Sequence, residues 1–120
     1  MGADASGREA PLRQLDVWWA RLPAPLGRRP VLLLTRPGGY AYLNRVLVAE
    51  VTTTVRGIPQ EVPLGTREGL GRRCVANLDN VQAIPKRLLV ERAGSLAPAR
   101  AVEVKRAMGH SLGWLELTGL

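Results

Sequence analysis

Phenylalanine is absent from this chain, and aromatic residues together make up only 4% of it, so any core must be built from Val, Leu, Ala and Ile. A single cysteine, Cys74, excludes an intrachain disulfide and a thiol-ligated C-x-x-C zinc site, and reads best as a small buried residue in a strand. One histidine, His110, excludes a histidine pair sharing acid and base roles, as well as a His-rich metal centre; its place in a helical pattern makes it a surface residue. Nowhere do the ~18 apolar residues of a spanning helix run together, and Met1 to Pro11 lacks a secretory apolar region. A soluble, cytoplasmic protein with no membrane partner is the expectation. No G-x-x-x-x-G-K-[ST] and no G-x-S-x-G occurs, which argues against a P-loop and a hydrolase elbow. Acids are scattered singly, with no spacing typical of a two-metal or glycosidase pair.

What remains is arginine, glycine, proline and short aliphatic runs. Seventeen basic residues face ten acids, giving a formal charge of +7, and only Lys86 and Lys105 among the basic residues are not Arg. Such an excess favours a polyanionic partner, or simply solvates the surface. At 120 residues there is room for one core, and thirteen Gly with nine Pro imply many turns and a β-rich fold. Residues 1–13 are polar and small and read as a disordered leader, with residues 14–120 as the one domain. A first strand runs from Asp16 to Arg21; alternation sends Trp18 and Trp19 to opposite faces, one into the core and the other more exposed. A loop from Leu22 to Arg29 should follow, with Pro30 at the first position of a strand ending at Leu34. Further strands are expected at Arg45–Val51, at Gln60–Leu64 as an edge marked by Pro63, and at Arg73–Leu78, continued after a bend at Asp79-Asn80 by Val81–Ile84. Lys86 to Glu91 fits either strand or helix. After Gly94, Ser95 is a candidate cap and Pro98 falls in a first turn. Ala101, Val104, Met108, Leu112 and Leu115 then recur at helical spacing.

Two apolar runs end in groups suited to phosphate. Arg28-Arg29-Pro30 precedes Val31–Leu34, and Thr52-Thr53-Thr54 closes Val46–Val51. If those strands are neighbours, Arg29 and the threonines share one cleft, in which a guanidinium fork binds phosphate oxygens and hydroxyls add one bond each. Read from the residues alone, the preferred alternatives are a solvated Arg29 at a strand entrance and threonines that are simply β-formers.

These residues also carry a resemblance. From about Asp16 to Leu112 the chain resembles the MazF/PemK toxins of bacterial toxin–antitoxin systems. The matching pieces are Asp16-Val17-Trp18-Trp19, Gly27 to Leu32, Thr52-Thr53-Thr54 with Ile58 to Leu64, Val75 to Val81, and Gly94-Ser95-Leu96 with its helix. The resemblance implies a mainly β fold with a C-terminal α-helix, an SH3-like bent β-barrel of the CcdB/MazF type. It further implies a homodimer whose groove takes single-stranded RNA. Cleavage would be metal-independent and need no cofactor: the 2′-hydroxyl attacks the adjacent phosphate, leaving a 2′,3′-cyclic phosphate and a 5′-hydroxyl. By motif match the catalytic pair falls on Arg29 and Thr52, with Thr53 in reserve and Asp79 as support. The family's loop before the Arg usually carries a Ser-Glu-Gln-like segment, whereas Leu22 to Arg28 contains no acid. RNA contacts are expected from Arg28 and from two loops, Arg36 to Tyr42 and Arg56 to Gln60. Arg36, Tyr40, Tyr42 and Arg56 are the named candidates, the tyrosines by stacking on unpaired bases or else by anchoring their loop. A MazE-like antitoxin with an acidic tail is the implied protein partner. Two rivals stand beside this reading: a gyrase poison like the CcdB toxins, with Trp114-Leu115-Glu116 as its C-terminal segment, and a catalytically idle RNA-binding barrel.

Overall fold

Strict alternation along the first strand, β1 (Asp16–Leu22), divides it between two cores: Val17 and Trp19 pack on one side of the sheet, Trp18, Ala20 and Leu22 on the other. The computed structural model describes residues 11–120. Trp18 is 1% exposed while Trp19 is half-buried, so the expected division of the two indoles holds. The same alternation runs through β2 (Gly27–Leu33) and β3 (Arg45–Thr52), which send Leu32, Ala49 and Val51 to the first core and Val31, Leu33, Val46 and Val48 to the second. With β4 (Glu61–Leu64), β5 (Cys74–Pro85) and β6 (Leu89–Ser95) they form one antiparallel sheet in the order β4-β5-β3-β2-β1-β6.

The sheet is curled because β5 is bent. Ala49 of β3 pairs with Val81, but the next residue, Glu50, pairs with Asn77, so Leu78, Asp79 and Asn80 bulge out at the bend expected from Asp79-Asn80. Asn77 stabilises the bulge by accepting the Asp79 N–H at 2.8 Å. The result is a six-stranded half-barrel with β4 and β6 as its edges, and Pro63 lies on the edge strand where its missing N–H costs nothing. The second core is closed by Leu12, Ile84 and Leu89. The first is covered by α1 (Ala101–Leu112) through Val104 and Ala107, and Ser111 donates to the Leu78 carbonyl in the bulge at 2.8 Å.

Several expectations need correction. Pro30 does not open its strand: β2 starts at Gly27 after a tight connection at residues 23–26, and Pro30 sits inside it opposite Trp19. It is tolerated because pairing with β3 begins only at Val31, leaving that part of β2 bonded to β1 alone. Lys86–Leu88 is a short 3₁₀ turn, and β6 runs from Leu89 through Gly94 to Ser95. Ser95 therefore pairs with Asp16 and caps no helix; Pro98 opens a 3₁₀ turn, Pro98–Arg100, that leads into α1. Leu112 and Leu115 are exposed, not core, because the chain breaks at Gly113 and α2 (Leu115–Thr118) folds back on the helix. Gly109 permits that return, since a Cβ there would lie 2.6 Å from the Leu117 Cβ. Of the expected leader, residues 1–10 lie outside those described, and Leu12 is buried against the second core.

Arg100 ties the covering helix to the sheet. Its guanidinium grips Glu103 through two bonds of 2.8 Å, donates to Glu68 at 3.2 Å and reaches the Pro63 carbonyl of β4 at 2.7 Å. Its hydrogen bonds to Glu103 lead the effects that raise the Arg100 pKa, and the same bonds hold Glu103 below the usual carboxylate range. Glu68, buried in the 3₁₀ turn Thr66–Glu68, also accepts the Gly65 N–H at 2.7 Å. That turn is pressed onto β6 so closely that a Cβ on Gly94 would stand 2.4 Å from the Glu68 carbonyl oxygen. Arg100→Ala is expected to lower the unfolding free energy by about 2–3 kcal/mol, because it strands the Glu68 carboxylate in a partly wetted interior. Urea denaturation of the variant against the parent chain measures it, and a loss within experimental error would refute the anchoring role.

Candidate active site

Strands β2 and β3 pair over Val31–Leu33 and Val48–Glu50, with the Leu34 N–H donating to the Leu47 carbonyl at 2.9 Å beyond, and toward Arg29 no pair follows Val31 and Glu50. Val31 lies opposite Glu50, so two residues further along each strand the alternation brings Arg29 and Thr52 to the same side of the sheet, facing each other where the strands part. A cavity of about 410 Å³ opens there, and Arg29, Thr52 and Thr53 all line it. Arg29 is exposed and donates through Nε to the Leu26 carbonyl at 3.3 Å, leaving its terminal nitrogens free of protein partners among the described residues. The Thr52 hydroxyl oxygen accepts the Thr54 N–H at 3.1 Å, which orients the group and leaves its own proton to donate. The pocket thus pairs a fixed cation with an aimed hydroxyl donor.

Sequence reasoning missed two further members of the wall, Trp19 and Arg72. Trp19 is brought in by its register with Pro30, while Arg72 comes from the turn before β5, with Leu70 and Cys74 on either side of it. Burial pushes the Cys74 thiol up despite the nearby Arg72 charge, which keeps it protonated and unreactive. A half-exposed Trp was legible in the alternation. Its closeness to Leu70 and Arg72 was not, because those come from the turn before β5.

The other candidates stand apart from this cavity. Arg28 is ion-paired with Glu91 and lies over the Trp19 ring, 4.5 Å from its centroid. Asp79 is exposed on the β5 bulge, outside the cavity lining. Arg36 is bonded to the Tyr42 hydroxyl and lies over that ring, and Tyr42 is 63% exposed. Tyr40 is the loop anchor: it packs on the second core with its hydroxyl buried, and that burial pushes its phenol up to about 12. Arg56 belongs to the loop between β3 and β4, whose backbone is gathered by Glu61. The Glu61 carboxylate accepts the N–H groups of Arg56, Gly57 and Ile58 at 2.9–3.4 Å. Among the described residues no cluster of His, Cys, Asp and Glu has the geometry of a metal site.

Comparison with known proteins settles the family. A model of the PemK-like, MazF-like toxins of type II toxin–antitoxin systems matches residues 13–112. This chain belongs to that family. It is 43% identical over 86 residues to a probable endoribonuclease, MazF5, of Mycobacterium tuberculosis, an alignment covering 71% of this chain and 78% of that protein. With endoribonuclease MazF3 of the same species it shares 39% over 89 residues, covering 72% and 86%. Among solved structures, the Mycobacterium tuberculosis toxin MazF-mt6 superposes with a TM-score of 0.76 at 36% identity, covering 82% of this chain and 96% of that one. A mycobacterial endoribonuclease in complex with its cognate antitoxin superposes with a TM-score of 0.72 at 28% identity, covering 88% and 97%. A mainly β half-barrel with a C-terminal helix is therefore the family's fold as well as this chain's.

Glu61 makes the loop beside Thr52–Thr54 sensitive to acid. Burial pushes its carboxyl up, but the N–H groups of Arg56, Gly57 and Ile58 outweigh that and hold it below the usual carboxylate range. A depressed folded pKa adds stability above the unfolded value, about 4.3, and that stability is lost as pH falls through the folded value. The difference in stability between the parent chain and Glu61→Gln should accordingly shrink below about pH 4.3, and the variant's loop amides at residues 56–58 should exchange faster at neutral pH. A pH-independent difference would contradict the assignment.

Proposed function

We propose that this chain is the toxin of a type II toxin–antitoxin pair, an endoribonuclease that cuts single-stranded RNA at the cavity between β2 and β3. The observation that carries the reading is the convergence of Arg29 and Thr52 on that one cavity from strands distant in sequence. The naming of its relatives as endoribonucleases supports RNA cleavage over gyrase poisoning.

In the proposed reaction the ribose 2′-hydroxyl attacks the adjacent phosphorus, the 5′ oxygen of the next nucleotide leaves, and a 2′,3′-cyclic phosphate and a 5′-hydroxyl result. Charge accumulates on the nonbridging oxygens, and the free terminal nitrogens of Arg29 are suited to hold it bidentately. Thr52 donates its hydroxyl proton to the same group, and Thr53 flanks it. Among the described residues no carboxylate or imidazole lines the cavity. Catalysis here rests on positioning and electrostatic stabilisation, since a guanidinium gives up its proton too reluctantly to be a good proton shuttle.

The cytoplasm, where RNA is abundant, is the proposed setting. An acidic antitoxin segment suits a toxin carrying a net charge of +7, and one relative is known in complex with its cognate antitoxin. A homodimer is part of the reading, and the exposed Leu112, Trp114, Leu115 and Leu120 near the C-terminus supply apolar surface for it.

Purified protein incubated with mixed-sequence single-stranded RNA in EDTA should give discrete cuts bearing 5′-hydroxyl ends. Arg29→Ala should lower the rate by at least about a hundredfold, the usual effect of losing one transition-state donor, and Thr52→Ala by a comparable factor. With no imidazole or carboxylate at the cavity among the described residues, the rate should climb between pH 6 and 9 without a bell-shaped maximum. Intact RNA, or full activity in both variants, would sink the reading.

A further inference from the structure

The cavity is larger than a phosphate needs, and most of its wall is apolar. Beyond Arg29 and the threonines, its surface is built by Trp19, Pro30, Val51 and Leu70, with Arg72 as a second cation. Of these, Trp19, Pro30, Val51 and Leu70 belong to the opposite side of the sheet from Arg29. They reach the same space because β2 and β3 have parted. Such an aromatic and aliphatic slot beside a phosphate-binding pair matches the shape and polarity of an unpaired nucleobase.

The mounting of Trp19 supports this. A half-exposed indole in a slot rarely holds one orientation unless something braces it. Arg28 lies over the ring at 4.5 Å, and Glu91, opposite Trp19 on β6, fixes the Arg28 guanidinium by an ion pair. Arg28 is thereby committed to the indole and acts as a positioning residue, with its charge countered by Glu91 and thus of little use for a phosphate. Contacts of this kind order a surface aromatic and lower the entropy lost when a base packs on it.

We propose that Trp19 is a base-binding residue: the nucleobase next to the cleaved linkage packs against its indole over Pro30, Val51 and Leu70, with Arg72 at the far rim facing the neighbouring phosphate. This rests on the RNA-cleaving reading and places base recognition inside the catalytic cavity, apart from the Arg36–Tyr42 and Arg56–Gln60 loops.

The test is a cycle of enzyme and substrate changes. An oligoribonucleotide carrying the mapped cut site is made with each base near the cut replaced in turn by an abasic ribose, and kcat and KM are measured for the parent chain, Trp19→Phe and Trp19→Ala. With the parent chain, one abasic position should raise KM about ten- to hundredfold; Trp19→Ala should show the same rise on the intact substrate and no further penalty from that abasic position. Trp19→Phe should recover most of the loss. Equal abasic penalties in the parent and Trp19→Ala chains would overturn the proposal while leaving the nuclease reading intact. Absence of cleavage by the parent chain would overturn both. A misfolded Trp19→Ala is recognised by its melting curve, and the cycle is then read from Trp19→Phe and Arg28→Gln, where an unchanged base penalty in both would equally refute the assignment.

Discussion

The fold depends most on the brevity of the contact between β2 and β3. Three residue pairs join them, and then the strands separate. Had the ladder continued, Arg29 and Thr52 would be directly opposed neighbours on a flat sheet with nothing between them. Two features prevent it. Pro30 offers no N–H to a partner at the point where the fourth pair would form, and the bulge at Leu78–Asn80 turns β5, and with it the end of β3, away from β2. The gap is thus a consequence of local backbone chemistry, and the chemistry proposed for it follows from which side chains the alternation delivers there.

A gap of this kind needs a rigid rim. The far wall is carried by the segment between β4 and β5, which has little regular structure of its own beyond the Thr66–Glu68 turn. Arg100 reaches that turn through Glu68, and Gly69 and Gly94 let it lie backbone to backbone against β6: a Cβ on Gly69 would come within 1.9 Å of the Ala93 carbonyl oxygen. The covering helix, far in sequence from Arg29, thereby sets the position of Leu70 and Arg72. Buried ion pairs add little net stability against apolar replacements, so the value of the Arg100–Glu68–Glu103 group lies in fixing one geometry of that turn.

Much of this was legible from the chain. Periodicity and turn residues placed five of the six strands near their true positions, and the separation of Trp18 from Trp19 followed from alternation alone. Arg29 and Thr52 stood out because each ends an apolar run with a phosphate-friendly group. What stayed hidden was set by long-range contact. β6 was obscured because Glu91-Arg92-Ala93-Gly94-Ser95 has no apolar alternation; it is a strand because β1 offers it hydrogen bonds and Gly94 allows the close approach of the Glu68 turn. Ser95 and Pro98 look like a helix start, yet Ser95 pairs with Asp16 of β1 and the Leu96 N–H is bonded to the Leu15 carbonyl at 2.8 Å, which delays the helix to Ala101. Arg72 gave no local signal because a basic residue in a glycine-rich turn is ordinary until the tertiary fold faces it with another guanidinium.

The composition acquires a physical sense once the site is in view. A shuttle of imidazole and carboxylate would need pKa values tuned toward neutrality, and among the described residues this cavity offers neither group. It offers guanidiniums instead, which present planar forks of donors suited to phosphate oxygens. The short connection at residues 23–26, too small to fold an acid over the cavity, leaves the space beside Arg29 open on that side. Trp19, Leu70 and Arg72 border the same space from the other face of the sheet. Electrostatic stabilisation works best in surroundings of low dielectric, and an apolar slot that packs against a base also displaces water from around the arginine. On the proposed reading, the grip on the base and the strength of Arg29 toward phosphate would arise from one event, the filling of a gap between two strands.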